Sequence, residues 1–458
     1  MAKNLLFVLL FCLPLITNLY AAKGNYRAGL SSIELKPEIG IPLAGYGDKR
    51  RRLSPLDWKG KYPHSFFFRP STGFRDPIFA KTMIIHDEND NKLVLVSLDL
   101  IGISKKLVKD IARKITKLGY KRENIIISAT HTHSGPGTLS KNLGLSIIAV
   151  DLYKRKNYLA VRDKLIKSIF EAHNNLEPVD LYHSKFDAVN VQWNKWRKAR
   201  REYFNPTAKF ILAKSRATKQ WLGGMLNFAI HGNAMKLEDT RFSGDIPGAI
   251  ATATEGKIAA KNNLLTKKPV LLFMNGAEGD VKHKGGRSED ILGVIGNRFA
   301  SQAADSALQD KNMIKIEDGI KIRTGRAFVG IAGYPLEACY KREGFMKYVL
   351  AIVPDFIPLP FPIFPPTTKL TAAKLGHITL TTWPGEASTT LGYRLEASGK
   401  KVGHDQVWVI GLANDYLTYF TTESEYHEGE YDSCSSFYGH HGGARIIRKL
   451  TKLMKKLD

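Results

Sequence analysis

Two histidines one residue apart, His131 and His133, sit in the stretch THTHSGPG, between the branched-aliphatic run NIIISA and a Gly-Pro-Gly turn. In an extended strand, residues i and i+2 point to the same face about 6–7 Å apart, so both imidazoles can address one pocket. Alone, the pair fits either a metal site or two hydrogen-bonded side chains where a strand surfaces. A third histidine, His231, follows MLNFAI, and Glu386 stands in WPGE after HITLTT. Together these residues supply the imidazole and carboxylate donors that zinc accepts.

Such donors need elements that bring them together. A strand, a polar or glycine-rich turn and an amphipathic helix recur along the chain. KLVLVSLDLIGI reads as a strand, and Ser104 can cap the helix that follows, whose Leu107, Val108, Ile111, Ile115 and Leu118 share one face. Further strands are read at NIIISAT, KFILAK, MLNFAIHG, VLLFMNG, KIRTGRAFVG, HITLTTWPG and QVWVIGLAN. Helices are read at PGAIATATEGKIAAKN, DILGVIGNRFASQAADSAL, ASTTLGYRLEAS and GARIIRKLTKLMKKL. The alternation predicts an α/β fold: a layered domain with a mixed or parallel sheet, flanking helices, and the active site at the carboxyl ends of strands. His131, His231, Asp280, Glu386 and Asn414 all follow predicted strands beside glycines, which suggests one shared site.

The chain of 458 residues is 43% hydrophobic and 24% charged, as folded globular proteins are. Residues 1–22 combine a lysine, an apolar run and a small-residue exit, which predicts a secretory signal cleaved near Ala21 or Ala22 and an exported or cell-envelope protein. Cys12 would leave with it, so Cys339 and Cys434 form one disulfide or stay two buried thiols. The net charge of +25 clusters at residues 49–52, 195–201 and 448–456, without any nucleic-acid reading module, so no nucleic-acid partner is expected. Contact with anionic lipid or polysaccharide surfaces and a simply solvated surface both fit that charge. Residues 345–370 are apolar but broken by six prolines, Pro354 to Pro366. They read either as a greasy rim that dips into a membrane or covers an acyl chain, or as an extended segment packed across the domain.

THTHSGPG, FAIHGNAM, FSGD, MNGAEGDV, TWPGEAST and ANDYLTYFTTESEYHEGEYDSCSSFYG, in this order, resemble the neutral/alkaline non-lysosomal ceramidase family. The resemblance runs from about Ala28 to about Gly443 and implies a single catalytic domain over residues 23–458, without the family's C-terminal immunoglobulin-like domain. It implies a zinc-dependent amidase that splits the N-acyl bond of ceramide or a related N-acyl lipid. One Zn2+ ion would be held by His131, His231, Glu386 and Tyr419, the second tyrosine of NDYLTY. His133 matches a residue that binds the carbonyl or shuttles a proton, and Tyr431 in EGEYDS one that helps to stabilise the oxyanion. Zinc would polarise the carbonyl and lower the pKa of its water toward ~7, making that water the nucleophile.

One departure bears on the reaction. The family's GDVSPN segment, with its catalytic serine, reads GDVKHK here, so Lys282 stands at the serine position. A protonated amine does not replace a hydroxyl nucleophile. Three outcomes follow: water attacks directly with Lys282 as an electrostatic clamp, the substrate is another amide or ester with a negative group for Lys282, or the protein binds lipid without turnover. The family's Asn-Arg segment falls near VNVQWNKWRKARREYFNP, where Asn194-Lys195 is the nearest match and Arg197 the nearest arginine. His440 and His441 are read as turn and cap residues of the last helix, and the absence of a GxSxG elbow argues against a serine esterase.

Overall fold

Runs of Ile, Val and Leu buried on both faces build the centre of the molecule. In the computed structural model, residues 25–196, 203–262, 267–288, 290–340, 356–359 and 364–457 are described. The predicted signal segment, Arg197 and most of residues 345–370 lie outside them. The larger sheet contains β1 (Tyr26–Glu34), β2 (Phe79–His86), β3 (Lys92–Leu98), β4 (Ile125–Ala129), β5 (Glu177–Asp187), β6 (Thr207–Ser215), β7 (Trp221–Phe228) and β8 (Val270–Asn275). Its order is β8-β7-β6-β5-β1-β2-β3-β4, with a short ninth strand, Ile314–Lys315, beside β5. The smaller sheet is β9 (Ile320–Phe328), β10 (Thr367–Leu375), β11 (Ile378–Thr382) and β12 (Gln406–Ile410), in that order.

The α/β class with a mixed sheet holds, but most pairs are antiparallel. Only β3–β4, β7–β8 and β11–β12 run parallel within these two sheets. The antiparallel centre comes from β1, β2, β5 and β10, four strands that the sequence reading passed over. Hairpins such as the turn at Asp87–Asn91, where Asp90 is left-handed at φ 58°, need no crossover helix.

The two sheets pack face to face through Met83, Leu95, Ile126, Met274, Leu380 and Ile410. Helices α1 (Lys105–Ile115), α2 (Arg155–Asn174), α3 (Asp245–Ala259) and α4 (Ile291–Asp305) cover the outer face of the larger sheet. Helices α5 (Thr389–Lys400) and α6 (His441–Met454) cover the smaller one. Ser104 caps α1 by accepting from the Leu107 amide, as predicted. No helix among the described residues is long and apolar enough to cross a membrane.

Buried amides and hydroxyls draw the strand exits together. Asn275 Nδ2 donates to Thr130 O at 3.1 Å, Asn227 Nδ2 to Val409 O at 2.9 Å and Ser128 Oγ to Gly411 O at 2.8 Å. Asn414 closes the gap between the sheets: its Oδ1 accepts from the Ile127 amide at 3.0 Å and its Nδ2 donates to Ile125 O at 3.1 Å. It therefore completes the edge of β4 instead of facing the pocket. Asn414→Ala leaves a buried amide and a buried carbonyl unpaired, each costing about 1–3 kcal/mol. The expected result is a loss of roughly 2–4 kcal/mol, read as a lower urea midpoint at unchanged m.

Candidate active site

The chain turns sharply as it leaves β4. His131 is left-handed at φ 66°, a conformation that costs a non-glycine residue about 1–3 kcal/mol and concentrates at functional sites. Its amide donates to Leu100 O at 3.0 Å, and Nδ1 donates to Ile101 O at 2.7 Å. With the proton on Nδ1, the lone pair of Nε2 points inward. His231, after β7, is set the same way, with Nδ1 2.9 Å from Glu278 O and 3.0 Å from Val281 O. Such second hydrogen bonds fix the tautomer and orientation of metal-ligating histidines.

Both inward nitrogens meet one carboxylate. Glu386 Oε2 lies 3.2 Å from His131 Nε2 and 3.2 Å from His231 Nε2. Tyr419 OH lies 3.2 Å from His231 Nε2, because residues 386–387 and 419–420 pair as a short parallel bridge that sets Glu386 beside Tyr419. His131 Nε2 and Glu386 Oε2 are buried and have no hydrogen-bond partner. Lone pairs that face one another at this spacing call for a cation. Donors held tetrahedrally at the usual zinc distances of about 2.0–2.1 Å sit roughly 3.3 Å apart, so this donor set fits the ion. Burial pushes His231 down to about 4, which keeps its imidazole neutral. Burial works against ionisation of Glu386, but the imidazoles of His131 and His231 outweigh it and hold the carboxyl well below its usual range.

Two residues of this group, Tyr416 and Glu278, were not foreseen, and a third, Lys195, entered only as the nearest match to the family's Asn-Arg segment. Tyr416 OH donates to Glu386 Oε1 at 2.7 Å and so orients the carboxylate. Glu278 is buried with both oxygens unpartnered, and burial and the Glu386 charge raise it well above the ordinary carboxyl range. An oxygen of Glu278 falls within 4.8 Å of donors on His131 and Glu386, so a cation there could also draw on it. Lys195 is half-buried; burial and the charge of Lys282 push its ammonium down to about 8, while Glu386 pulls it up.

His133 lies against the same group. Its ring packs 4.9 Å from that of His131 and 4.4 Å from that of Tyr46, and neither nitrogen has a hydrogen-bond partner. Burial and the neighbouring imidazoles hold it well below 6.5, hence neutral. It, too, offers a donor within 4.8 Å of those on His131 and His231. Gly45 backs the ring: at φ +113°, a Cβ there would come 2.6 Å from His133 Nδ1. Gly45→Ala is therefore expected to displace His133 and cut kcat about 10–100-fold while metal content, measured by elemental analysis, stays unchanged.

Tyr431 is exposed to 56% and stands edge-on to Tyr419, with ring centres 5.8 Å apart. It opens the short helix Tyr431–Cys434, which a Cys339–Cys434 disulfide ties to the helix Leu336–Cys339. Lys282 lies on the strand Val281–His283, paired with Gln192–Asn194, and its ammonium sits 4.9 Å over the Trp193 ring. Asp280 does not face the pocket. Its carboxylate accepts from Thr389 N and Oγ1 at 2.8 and 2.7 Å and from Asn194 Nδ2 at 2.9 Å, bracing the start of α5. His440 and His441 stand at the start of α6, away from this group.

A cavity of about 330 Å³ opens from His131, His133, Glu386, Tyr419 and Tyr431. Its walls are mostly apolar, with Leu100, Ile103, Leu107, Leu139, Leu145 and Val161 among them, beside Lys105, Lys106, Lys141 and Asp415. A polar group of donors beside a mostly apolar cavity suits a molecule with one reactive polar junction and a hydrocarbon tail.

Known proteins share this fold. Residues 67–289 and 338–447 match the family model described as neutral/alkaline non-lysosomal ceramidase, N-terminal. Neutral ceramidase from Pseudomonas aeruginosa is 23% identical over 94% of this chain and 72% of its own length. Neutral ceramidase B from Dictyostelium discoideum is 21% identical over 82% of this chain and 67% of its own. The alignment to the Oryza sativa neutral ceramidase spans only 31% of that relative. The crystal structure of the Pseudomonas aeruginosa protein superposes with a TM-score of 0.77 at 19% identity, covering 94% of this chain and 74% of that one. With most of its length matching the family model and the fold in common, the chain belongs to the neutral/alkaline non-lysosomal ceramidase family.

Proposed function

We propose that this protein is an exported zinc-dependent hydrolase of N-acyl lipids, with ceramide or a close relative as substrate. The observation that carries the reading is the meeting of His131 Nε2, His231 Nε2 and Glu386 Oε2 at 3.2 Å contacts where an apolar cavity begins. His131, His231, Glu386 and Tyr419 would hold one zinc ion, which would supply Lewis-acid polarisation of the amide carbonyl and lower the pKa of water to near neutral. The chain's own residues do the rest. The cavity takes the acyl chain and sets the amide beside the ligands. His133, neutral and free of other hydrogen bonds, turns one N–H toward the carbonyl oxygen, and Tyr431 adds its hydroxyl from the cavity mouth. The other ring nitrogen of His133 takes the proton that the attacking water releases and passes it to the departing amine nitrogen. Lys282 acts as a fixed positive charge in place of a nucleophile. Leu143, Ile147 and Ile148, exposed to 62%, 44% and 46% near the mouth, rest on an anionic membrane surface while lipid enters.

The test is metal content of the purified full chain, with fatty-acid release from ceramide and simpler N-acyl lipids before and after chelation. The reading expects about one zinc per chain and turnover that is lost on chelation and restored by zinc. A zinc-free active protein would overturn it, as would a zinc protein inert toward every amide.

A further inference from the structure

Tyr431 owes its place to a short lobe that carries none of the four proposed zinc ligands. It opens the one-turn helix Tyr431–Cys434, whose main-chain bonds include Cys434 N to Glu430 O at 3.0 Å and Ser435 N to Tyr431 O at 2.9 Å. A helix of one turn does not hold itself in water. The Tyr431 ring is 56% exposed and lies 5.2 Å from that of Trp196 and 5.8 Å from that of Tyr419, so the backbone beneath it decides where the hydroxyl points. That backbone is tied from outside. Ser433 Oγ donates to Glu425 O at 2.6 Å, Thr418 Oγ1 donates to Ser435 O at 3.1 Å, and Cys434 is bonded through sulfur to Cys339. The disulfide joins the turn to the helix Leu336–Cys339, 95 residues away in sequence, where Glu337 meets His427 Nδ1 at 3.2 Å. Both cysteines are partly exposed, so a thiol can reach the bond.

We propose that the Cys339–Cys434 disulfide positions Tyr431 at the cavity mouth and makes the hydrolase sensitive to dithiols. This rests on the N-acyl hydrolase reading for the role of Tyr431. A dithiol reductant attacks one sulfur as its thiolate, and the Cys339–Cys434 bond breaks as a mixed disulfide forms. The reductant's second thiol then displaces the cysteine and closes the reductant into its own disulfide, so two electrons and two protons pass to the protein as two thiols. An oxidising exterior keeps the bond closed. Once it opens, the turn is left to the Ser433 and Thr418 hydrogen bonds, and Tyr431 no longer holds its hydroxyl toward the carbonyl oxygen. The ligand set is untouched, because Glu386 and Tyr419 are held by strand pairing and His131 and His231 by their main-chain carbonyl partners. Turnover is switched off without emptying the metal site.

The test compares the zinc-loaded full chain before and after dithiothreitol in zinc-buffered solution, beside the double variant Cys339→Ser, Cys434→Ser. Thiols are counted, zinc is measured by elemental analysis, and kcat and KM are read with ceramide and simpler N-acyl lipids. Opening the bond is expected to lower kcat by about tenfold or more, up to the about 10²–10³ of losing an oxyanion donor outright. Zinc content should stay unchanged, KM should move little, and reoxidation should restore kcat. Tyr431→Phe should slow the oxidised protein by a similar factor and the double-serine protein no further, which a general loss of stability would not produce. Hydrogen exchange of the Cys434 and Ser435 amides should speed up on reduction while that of residues 131–133 does not. Unchanged kcat after thiols appear, zinc lost in step with activity, or losses that add to those of Tyr431→Phe overturns the proposal. Faster exchange at Cys434 and Ser435 in a zinc protein inert toward every N-acyl lipid would leave the positioning role standing and sink the hydrolase reading; turnover indifferent to the state of the bond would do the reverse.

Discussion

His131→Asn is expected to strip the protein of stoichiometric zinc and lower kcat/KM by more than the about 10–100-fold that loss of an outer hydrogen-bond partner behind a metal ligand costs. Asparagine is chosen because position 131 is left-handed at φ 66°, which asparagine tolerates and alanine does not. A drop in activity then reports the missing Nε2 and not a broken turn. The loss should be large because Glu386 is 1% exposed and shares its Oε2 between His131 and His231. With one imidazole gone, only two strong donors and a phenol remain of the four residues proposed to hold the ion. Tyr419→Phe should be milder, since phenol oxygen is the weakest donor of the four at neutral pH and its hydroxyl also lies against His231. Elemental analysis beside steady-state kinetics decides it: a His131→Asn protein that keeps one zinc per chain and its activity would remove His131 from the ligand set.

What the sequence disclosed follows the length of each signal. Long aliphatic runs marked β3, β4, β7, β8, β11 and β12, and the residues just beyond them, His131, His231 and Glu386, come together as a strand-exit site should. The antiparallel centre was hidden for a physical reason. β1, YRAGLSSIE, mixes small and polar residues because Ser31 hydrogen-bonds Ser168 inside the core, so it carries no hydrophobic run. Helix α2 escaped notice because its apolar residues fill no clean stripe. Within the site, Asp280 and Asn414 shared the signature of the ligands, a polar residue beside glycine after a strand, yet both satisfy main-chain groups. Position in sequence cannot separate a residue that faces the pocket from one that braces it; the partner of each lone pair can. Tyr416 and Glu278 were missed, and Lys195 was left without a role, for the converse reason. Their roles depend on contacts with Glu386, His131 and Trp196 that lie far away in sequence. Only the family resemblance singled out Tyr419, because a phenol ligand has no spacing rule of its own.

His133→Phe is expected to keep its zinc and lose about 10²–10³ in kcat with little change in KM, the range typical for removal of one donor to a developing oxyanion. Phenylalanine preserves the packing, since the imidazole already lies 4.4 Å from the Tyr46 ring, tilted by 46°, and makes no hydrogen bond through its nitrogens. What it removes is only the N–H and the lone pair. If His133 were instead a third imidazole ligand, as its approach to the donors of His131 and His231 allows geometrically, zinc would be lost with the activity. The same measurement thus separates the two roles. Gly45→Ala supplies the second arm, because a Cβ at 2.6 Å from His133 Nδ1 moves the ring without changing its chemistry. Should both act through the position of one imidazole, the double variant will be no slower than His133→Phe alone, since a displaced ring and an inert ring cannot be lost twice. Additive losses would place the effect of Gly45 elsewhere in the cavity it lines.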